Sequence, residues 1–429
     1  MTKTKGKRFW IALALFGLIG QVAWVVENMY FNVFIYNMFG ASPAEISLMV
    51  GASSVVATLT TVLIGALSDK LGKRRLFLSL GYILWGLSIL LFALVRRDVL
   101  SALFPTAVSI TAVGVTVTVV LDCVMTFFGS SANDAAFNAW LTDVTEDGER
   151  GAVEGINAMM PLVAILVVFG GFMSFDLSLP SSWTLVFLII GGVVLASGVL
   201  GLFLIREEKG ERSADGYLAT VLYSFRPKTV RQNPKLYLTL LAFAVFGISI
   251  QIFMPYLIIY YEVSLGMTDY VFVMAPAIVL ASVATAFYGK LFDRWGFLRS
   301  VLSALGMLAL GYVVLSLFTS TLPVFIGSLL MMTGYLSGMA VYGAMIRMHI
   351  PEKMAGAFQG IRIVGQVLIP GIIGPAIGAW VLRDAKVLVG SDGTESFIPD
   401  RGIFIAALAV AVIAAGASLL VRECKKKAK

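Results

Sequence analysis

Charge is what this chain has least of. Only 13% of its 429 residues are Asp, Glu, Lys or Arg, about half the share of a soluble domain, and a water-soluble globular protein is excluded. Histidine and cysteine are scarcer still, with one His and two Cys. No His/Cys cluster for a metal can be assembled from them, and Cys123 in an apolar run and Cys424 in a basic tail lie at depths too different for a disulfide. There is no glycine-rich nucleotide loop of the G-x-x-x-x-G-K-[ST] type and no polar stretch long enough for an ATPase domain. The reading is therefore no enzyme, no cofactor and no ATP-driven pump. Apolar length is what the chain has instead: 59% of the residues are hydrophobic and the mean hydropathy is +0.91. That composition is a polytopic membrane protein.

Apolar runs ended by charge, Gly or Pro predict transmembrane helices over about 9–38, 45–67, 75–95, 116–141, 153–175 and 183–205, and again over about 236–261, 269–290, 298–318, 323–347, 356–382 and 402–422. Between the two sets, residues 206–235 carry seven basic and four acidic side chains and read as a linker. The expected architecture is all-α, with twelve spans in two six-helix halves, 1–205 and 236–429. Residues 96–115 open with Arg96, Arg97 and Asp98 and read as an extracellular extension or interfacial piece. A thirteenth span there would reverse every later loop.

The net charge of +7 follows from the membrane and does not point to nucleic acid. With twelve spans, 26 of the 32 Lys and Arg fall on one side, five on the other, and Arg362 lies within a helix. The positive-inside rule makes the first side cytoplasmic, with both termini, in a plasma membrane. The start, MTKTKGKRFW, leads straight into an apolar run with no small-residue cleavage site and reads as a retained first helix.

An internal repeat supports the division. Gly65, Asp69, Gly72 and Arg75 follow the second span with the spacing that Gly289, Asp293, Gly296 and Arg299 keep after the eighth, 224 residues later. Arg150-Gly-Ala-Val-Glu-Gly-Ile156 and Ala355-Gly-Ala-Phe-Gln-Gly-Ile361 open the fifth and eleventh spans at an offset of 205. Two halves related by a parallel repeat are one signature of secondary transporters. Gly65 to Arg75 resembles the loop motif of the major facilitator superfamily. Asn133-Asp134-Ala-Ala-Phe-Asn-Ala-Trp140-Leu-Thr-Asp143 is similar to the end of helix four in cation-coupled glycoside, pentoside and hexuronide symporters of the melibiose permease type. The resemblance implies the major facilitator fold, alternating access and a sugar-type substrate. In one respect the chain departs from that branch: helix two has Ser and Thr but no acid between Glu45 and Asp69, where the branch draws on acids for sodium. A proton needs one titratable group only, which makes H+ the expected coupling ion and Na+ the alternative.

Candidate residues follow from charge placed in lipid, where each ion costs about 2.5–3.5 kcal/mol unless it faces protein or water. Glu27 on helix one, Asp122 and Asp134 on helix four, and Arg362 on helix eleven are the ionisable groups at depth. Gln21, Trp24, Asn28 and Asn32 recur at steps of three and four and predict one polar face of helix one beside Glu27. Asp122, Thr126, Gly129 and Asn133 make a second face, and Gln359, Arg362 and Gln366 a third. Glu27 is the candidate coupling site for a proton, or with Asp122 a pair that binds sugar hydroxyls. Trp24, Tyr256 and Tyr335 are candidate aromatic walls. Asp69 with Arg75, and Asp293 with Arg299, are expected to gate, while Lys73 and Arg74 are expected to be solvated or to meet anionic headgroups. The expected function is proton-coupled symport of a sugar or glycoside by a monomer. The alternatives are an exporter of amphipathic drugs or lipids by proton antiport, or a transporter-like nutrient sensor.

Overall fold

A computed structural model of the chain describes residues 6–145, 150–205, 222–350, 355–389 and 395–421. Ten helices among the described residues are long and apolar enough to cross a membrane. Helix Arg150–Phe172, of 23 residues, is another. The 47-residue Val271–Leu317 is two helices, because Gly296 breaks it with φ 74° and ψ 176°. Tyr288 Oη lies 3.1 Å from Ser303 Oγ across that break, whereas fifteen residues of straight helix would separate them by about 22 Å. The chain reverses there, and the spans number twelve.

In chain order these are α1 (Lys7–Phe39), α2 (Pro43–Leu71), α3 (Arg74–Leu94), α4 (Ile110–Val144), α5 (Arg150–Phe172) and α6 (Pro180–Leu204), followed by α7 (Pro234–Ser264), α8 (271–295), α9 (297–317), α10 (Thr321–His349), α11 (Gly360–Asp384, with Ala355–Ile363 leading in) and α12 (Gly402–Leu420). Local chemistry sets the ends that hydropathy left open. Ser42 and Glu45 form a reciprocal capping box at the start of α2, with Pro43 in its first turn, and Gly72 at φ 62° ends it. Gly72 and Gly296, the same position of the repeat, are both left-handed, a conformation that costs other residues about 1–2 kcal/mol.

Residues 96–115 differ from expectation. Ser109 Oγ accepts from Ala112 N–H, so α4 begins at Ile110 and the segment to Val115 is its first turns. Only Arg97–Leu103 stands as a separate short helix. Most of the expected linker, 206–221, lies outside the described residues, and Pro227–Gln232 forms a short helix before α7.

Contacts divide the chain into two compact units. The first holds α1–α6 together with Lys386–Ile398, and the second holds α7–α12. Strands β1 (Val387–Val389) and β2 (Glu395–Phe397) pair antiparallel within that added segment. Tyr36 Oη at the end of α1 donates to Phe397 O at 2.7 Å, and the two rings meet edge to face at 5.1 Å. In the first unit α3 crosses α6 so closely that a Cβ at Gly86 would lie 2.4 Å from Leu195 N. In the second, α9 meets α10 in the same way at Gly334, where a Cβ would lie 2.4 Å from Leu308 N. Small residues at these crossings let backbones approach, the packing available to helices that gain nothing from burying Leu away from lipid.

Candidate functional site

The helix that carries Glu27 is not regular there. Val26–Tyr30 of α1 is a π-helical turn, and Ser130–Phe137 of α4 is another. Such bulges re-aim side chains and concentrate at functional sites. The extra residue breaks the single polar face expected of helix one. Asn28 is exposed and donates Nδ2–H to Trp24 O at 2.8 Å, while Asn32 is fully buried. Glu27 turns inward, 6% exposed, and its Oε1 accepts from Thr126 Oγ1–H of α4 at 2.8 Å. Its Oε2 has no hydrogen-bond partner among the described residues, nor has Oδ1 of Asp122, one turn from Thr126 and 2% exposed. The two carboxyl groups are electrostatic neighbours. The helices of the first unit hold Glu27, Asp122 and Asp134 at depth, and Lys or Arg only in their first and last turns. Among the described residues, the two acids are thus buried in the helices of one unit with no Lys or Arg at their depth, where an ion is costly unless it meets protein or water.

A directed hydrogen-bond chain fixes the aromatic wall next to it. Trp24 Nε1–H donates to Asn133 Oδ1 at 3.3 Å, Asn133 Nδ2–H donates to Tyr82 Oη at 2.7 Å, and Tyr82 Oη–H donates to Phe16 O at 2.8 Å. With its N–H engaged and its ring tilted on Trp85 at 5.1 Å, the half-buried Trp24 indole is held in one orientation. Tyr82 was absent from the sequence candidates. Its only signal was a hydroxyl in an apolar run, which marks many packing tyrosines equally. Asp134 is half-buried in the same π turn of α4.

Other candidates lie in the second unit. Arg362 Nε–H donates to Gln366 Oε1 at 2.9 Å, one turn along α11, beside the π turn Val364–Leu368. Tyr335 is half-buried on α10. Tyr256 is fully buried, its Oη 3.4 Å from Pro375 O and its ring against Gly378. It packs α7 on α11 at the close crossing that Gly378 permits. The side chain of Gln359 lies outside the described residues.

The loop after α2 also departs from expectation. The Asp69 side chain lies outside the described residues. Arg74, expected to be solvated, donates Nε–H to Asp143 Oδ2 at 2.8 Å and Nη1–H to Ser68 Oγ at 2.7 Å, tying α3 to the ends of α4 and α2. Arg75 donates Nη2–H to Leu202 O, and Arg8 donates to Leu204 O at 2.8 Å. Both cations thereby satisfy carbonyls at the C-terminal end of α6. Asp293 and Arg299 are exposed. Replacing Arg74 by Glu should cut transport severely, and pairing it with Asp143→Arg should restore part of the loss, as measured by flux at equal expression. Equal loss in the double variant would show that the contact does not matter.

A family model described as Major Facilitator Superfamily matches residues 9–375. No curated protein sequence matches the chain. Among solved structures, the nucleoside transporter NupG is similar with a TM-score of 0.72 at 10% identity, over 97% of this chain and 99% of that one. A bacterial homolog of the human lysosomal transporter Spinster, in an inward-facing and occupied conformation, is similar with a TM-score of 0.69 at 17% identity, over 98% and 97%. At such identities these likenesses speak to the fold. With twelve spans, an internal repeat and a family match over most of its length, the chain belongs to the Major Facilitator Superfamily and is a multi-pass membrane transporter.

Proposed function

We propose that the chain carries a sugar or glycoside across the plasma membrane together with protons, by alternating access, with Glu27 as the coupling group. One observation carries this reading: a buried carboxyl oxygen without a partner among the described residues, in a π turn of a membrane span, beside a second buried acid. Protonation removes the cost of an ion in lipid, and loss of the proton restores it. A carboxyl group so placed couples its charge to whichever arrangement of the helices admits water. Trp24, with its indole held by Asn133, offers a sugar an apolar ring face, and Asn28 offers an exposed amide beside it. Arg362 and Gln366 would supply polar contacts from the second half, and Asp69, Arg75, Asp293 and Arg299 would act in gating.

A second reading has its own support. Acids without bases at depth in the first unit also suit an organic cation, expelled in exchange for protons. Uptake into proteoliposomes, tested with a panel of glycosides and with ethidium under an imposed pH gradient, separates the two. Accumulation of a glycoside on the acid-driven side supports symport. Expulsion of ethidium with no glycoside flux supports the exporter.

Orientation belongs to the same proposal. Cysteine in place of Lys73 is expected to react with an impermeant maleimide only after the cells are opened, and cysteine in place of Ser101 to react in intact cells. The reverse pattern would overturn the cytoplasmic placement of both termini.

A further inference from the structure

Within the first unit, the buried acid of α1 and the aromatic wall beside it hang on a single line of contacts. Going up α1 the partners go down α4: Gly20 meets Asn133, Trp24 meets Asn133 and Gly129, and Glu27 meets Thr126. A Cβ on Gly20 would lie 2.1 Å from Asn133 Nδ2, so only a bare glycine leaves the amide its place. Trp24 Nε1–H then reaches Asn133 Oδ1 at 3.3 Å, and a Cβ on Gly129 would lie 3.1 Å from Trp24 Cη2. Thr126 Oγ1–H reaches Glu27 Oε1 at 2.8 Å. Each polar contact pairs a residue of a regular turn, Trp24 or Thr126, with a residue of a π turn, Asn133 or Glu27. The seam is therefore interrupted on both helices between its two hydrogen bonds, at the kind of turn where a helix adjusts most easily.

A proton on Glu27 changes what this seam can hold. The Thr126 hydroxyl has one hydrogen and spends it on Oε1. That bond is stronger to a carboxylate than to a neutral acid. Protonation weakens it and makes Glu27 a donor, and the acceptor left over is Asp122 Oδ1, buried and without a partner among the described residues, one turn beyond Thr126 on the side away from Trp24. At the other end the amide is anchored: Asn133 holds Tyr82 Oη at 2.7 Å and Trp24 Nε1 at 3.3 Å. The longer bond, to the indole, is the one that yields. The other titratable groups acting on Glu27 all lie on α4: Asp122 and Asp134, with Cys123 a neighbour of Glu27 and Asp122. Of the other helices packed against α1, α6 has no charged residue and α5 has only Arg150 and Glu154, in its first five positions.

We infer that Thr126 and Asn133 are positioning residues that tie the protonation state of Glu27 to the orientation of the Trp24 indole. Proton and substrate are then linked along one seam between α1 and α4, inside the first unit. The inference rests on the reading of Glu27 as a proton site and adds how its charge reaches the wall. Linkage is reciprocal: an indole clamped by a ligand must alter the hold of Glu27 on its proton by the same factor.

The test needs no substrate. The purified full chain in detergent is titrated from acid to alkaline pH while tryptophan emission is read, and the share of Trp24 is taken as the difference from the same protein carrying Trp24→Phe. That share should shift in wavelength as Glu27 titrates, because indole emission follows the bonding and polarity at its N–H. The shift should be lost in Glu27→Gln and in Thr126→Val, which keeps the volume but not the hydroxyl, and kept in Thr126→Ser, which restores the hydroxyl. Gly20→Ala should also lose it, with every polar group in place, by displacing the Asn133 amide, and decides the matter if Thr126→Val fails to fold. No shift in the unaltered chain, a shift that survives in Glu27→Gln or in the folded seam variants, or equal loss in Thr126→Ser and Thr126→Val would overturn the inference. So would a shift abolished by Asp134→Asn and not by Glu27→Gln, which would put the proton beside Asn133. Proton-driven accumulation with a Trp24 emission blind to Glu27 refutes the tie and leaves the coupling site standing. A shift that depends on Glu27 and the seam, without proton-driven flux, supports the tie and refutes the coupling.

Discussion

Glu27→Gln is expected to abolish accumulation of substrate against its gradient while downhill exchange remains measurable. The substitution keeps the shape of the side chain and an acceptor for Thr126 Oγ1–H, which lies 2.8 Å from Oε1, so the α1–α4 contact survives. What it removes is titration. Moving one charge through 100 mV supplies about 2.3 kcal/mol, and about 1.4 kcal/mol sustains a tenfold gradient. A coupled carrier should therefore hold more than tenfold accumulation and the Gln variant none, when labelled glycoside is followed in proteoliposomes with and without a pH gradient. The split between accumulation and exchange is the informative result, because a misfolded variant loses both. If the Gln variant still accumulates substrate, Glu27 is not the coupling group, and Asp122 and Asp134 follow in the same assay.

The second large effect concerns stability and comes from one substitution made at two glycines. Gly334→Ala should destabilise the second unit by about 1–3 kcal/mol or more, because the new Cβ would lie 2.4 Å from Leu308 N and 2.7 Å from Ala304 O. Those neighbours are backbone and cannot turn aside, so α9 and α10 must move apart along their length. Gly306→Ala, on the exposed side of α9 with nothing within 4 Å of the added atom, should stabilise by about 0.5–1 kcal/mol through the better helix propensity of alanine. Thermal midpoints of the two variants in detergent should therefore move in opposite directions. A common direction would mean that the α9–α10 crossing is looser than these distances imply.

Sequence and tertiary structure divided the work between them along a physical line. Apolar runs marked every span, since partition into lipid is a property of each residue and sums along the chain whatever its neighbours do. The repeated Gly-x-x-x-Asp-x-x-Gly loops marked equivalent reversals, and Gly72 and Gly296 both adopt the left-handed backbone that only glycine takes at low cost. Depth was legible too: Glu27, Asp122 and Asp134 stood out as acids within apolar runs. Helix ends were less so, because the Ser42–Glu45 box and the Ser109 cap depend on single hydrogen bonds that hydropathy does not register.

Direction around each helix was decided in three dimensions. A regular 3.6-residue period put Gln21, Trp24, Asn28 and Asn32 on one face, yet the π turn Val26–Tyr30 separates an exposed Asn28 from a buried Asn32. Partner choice was likewise out of reach of the linear chain. Arg74 finds Asp143, Asn133 joins Trp24 to Tyr82, and Lys386–Ile398 groups with α1–α6 although helices of the second half flank it in the chain. Each of these depends on groups 50 to several hundred residues apart being brought within about 3 Å. Transfer free energy sorts residues by depth alone, and only the packing of helices against one another selects which side chains at a given depth meet.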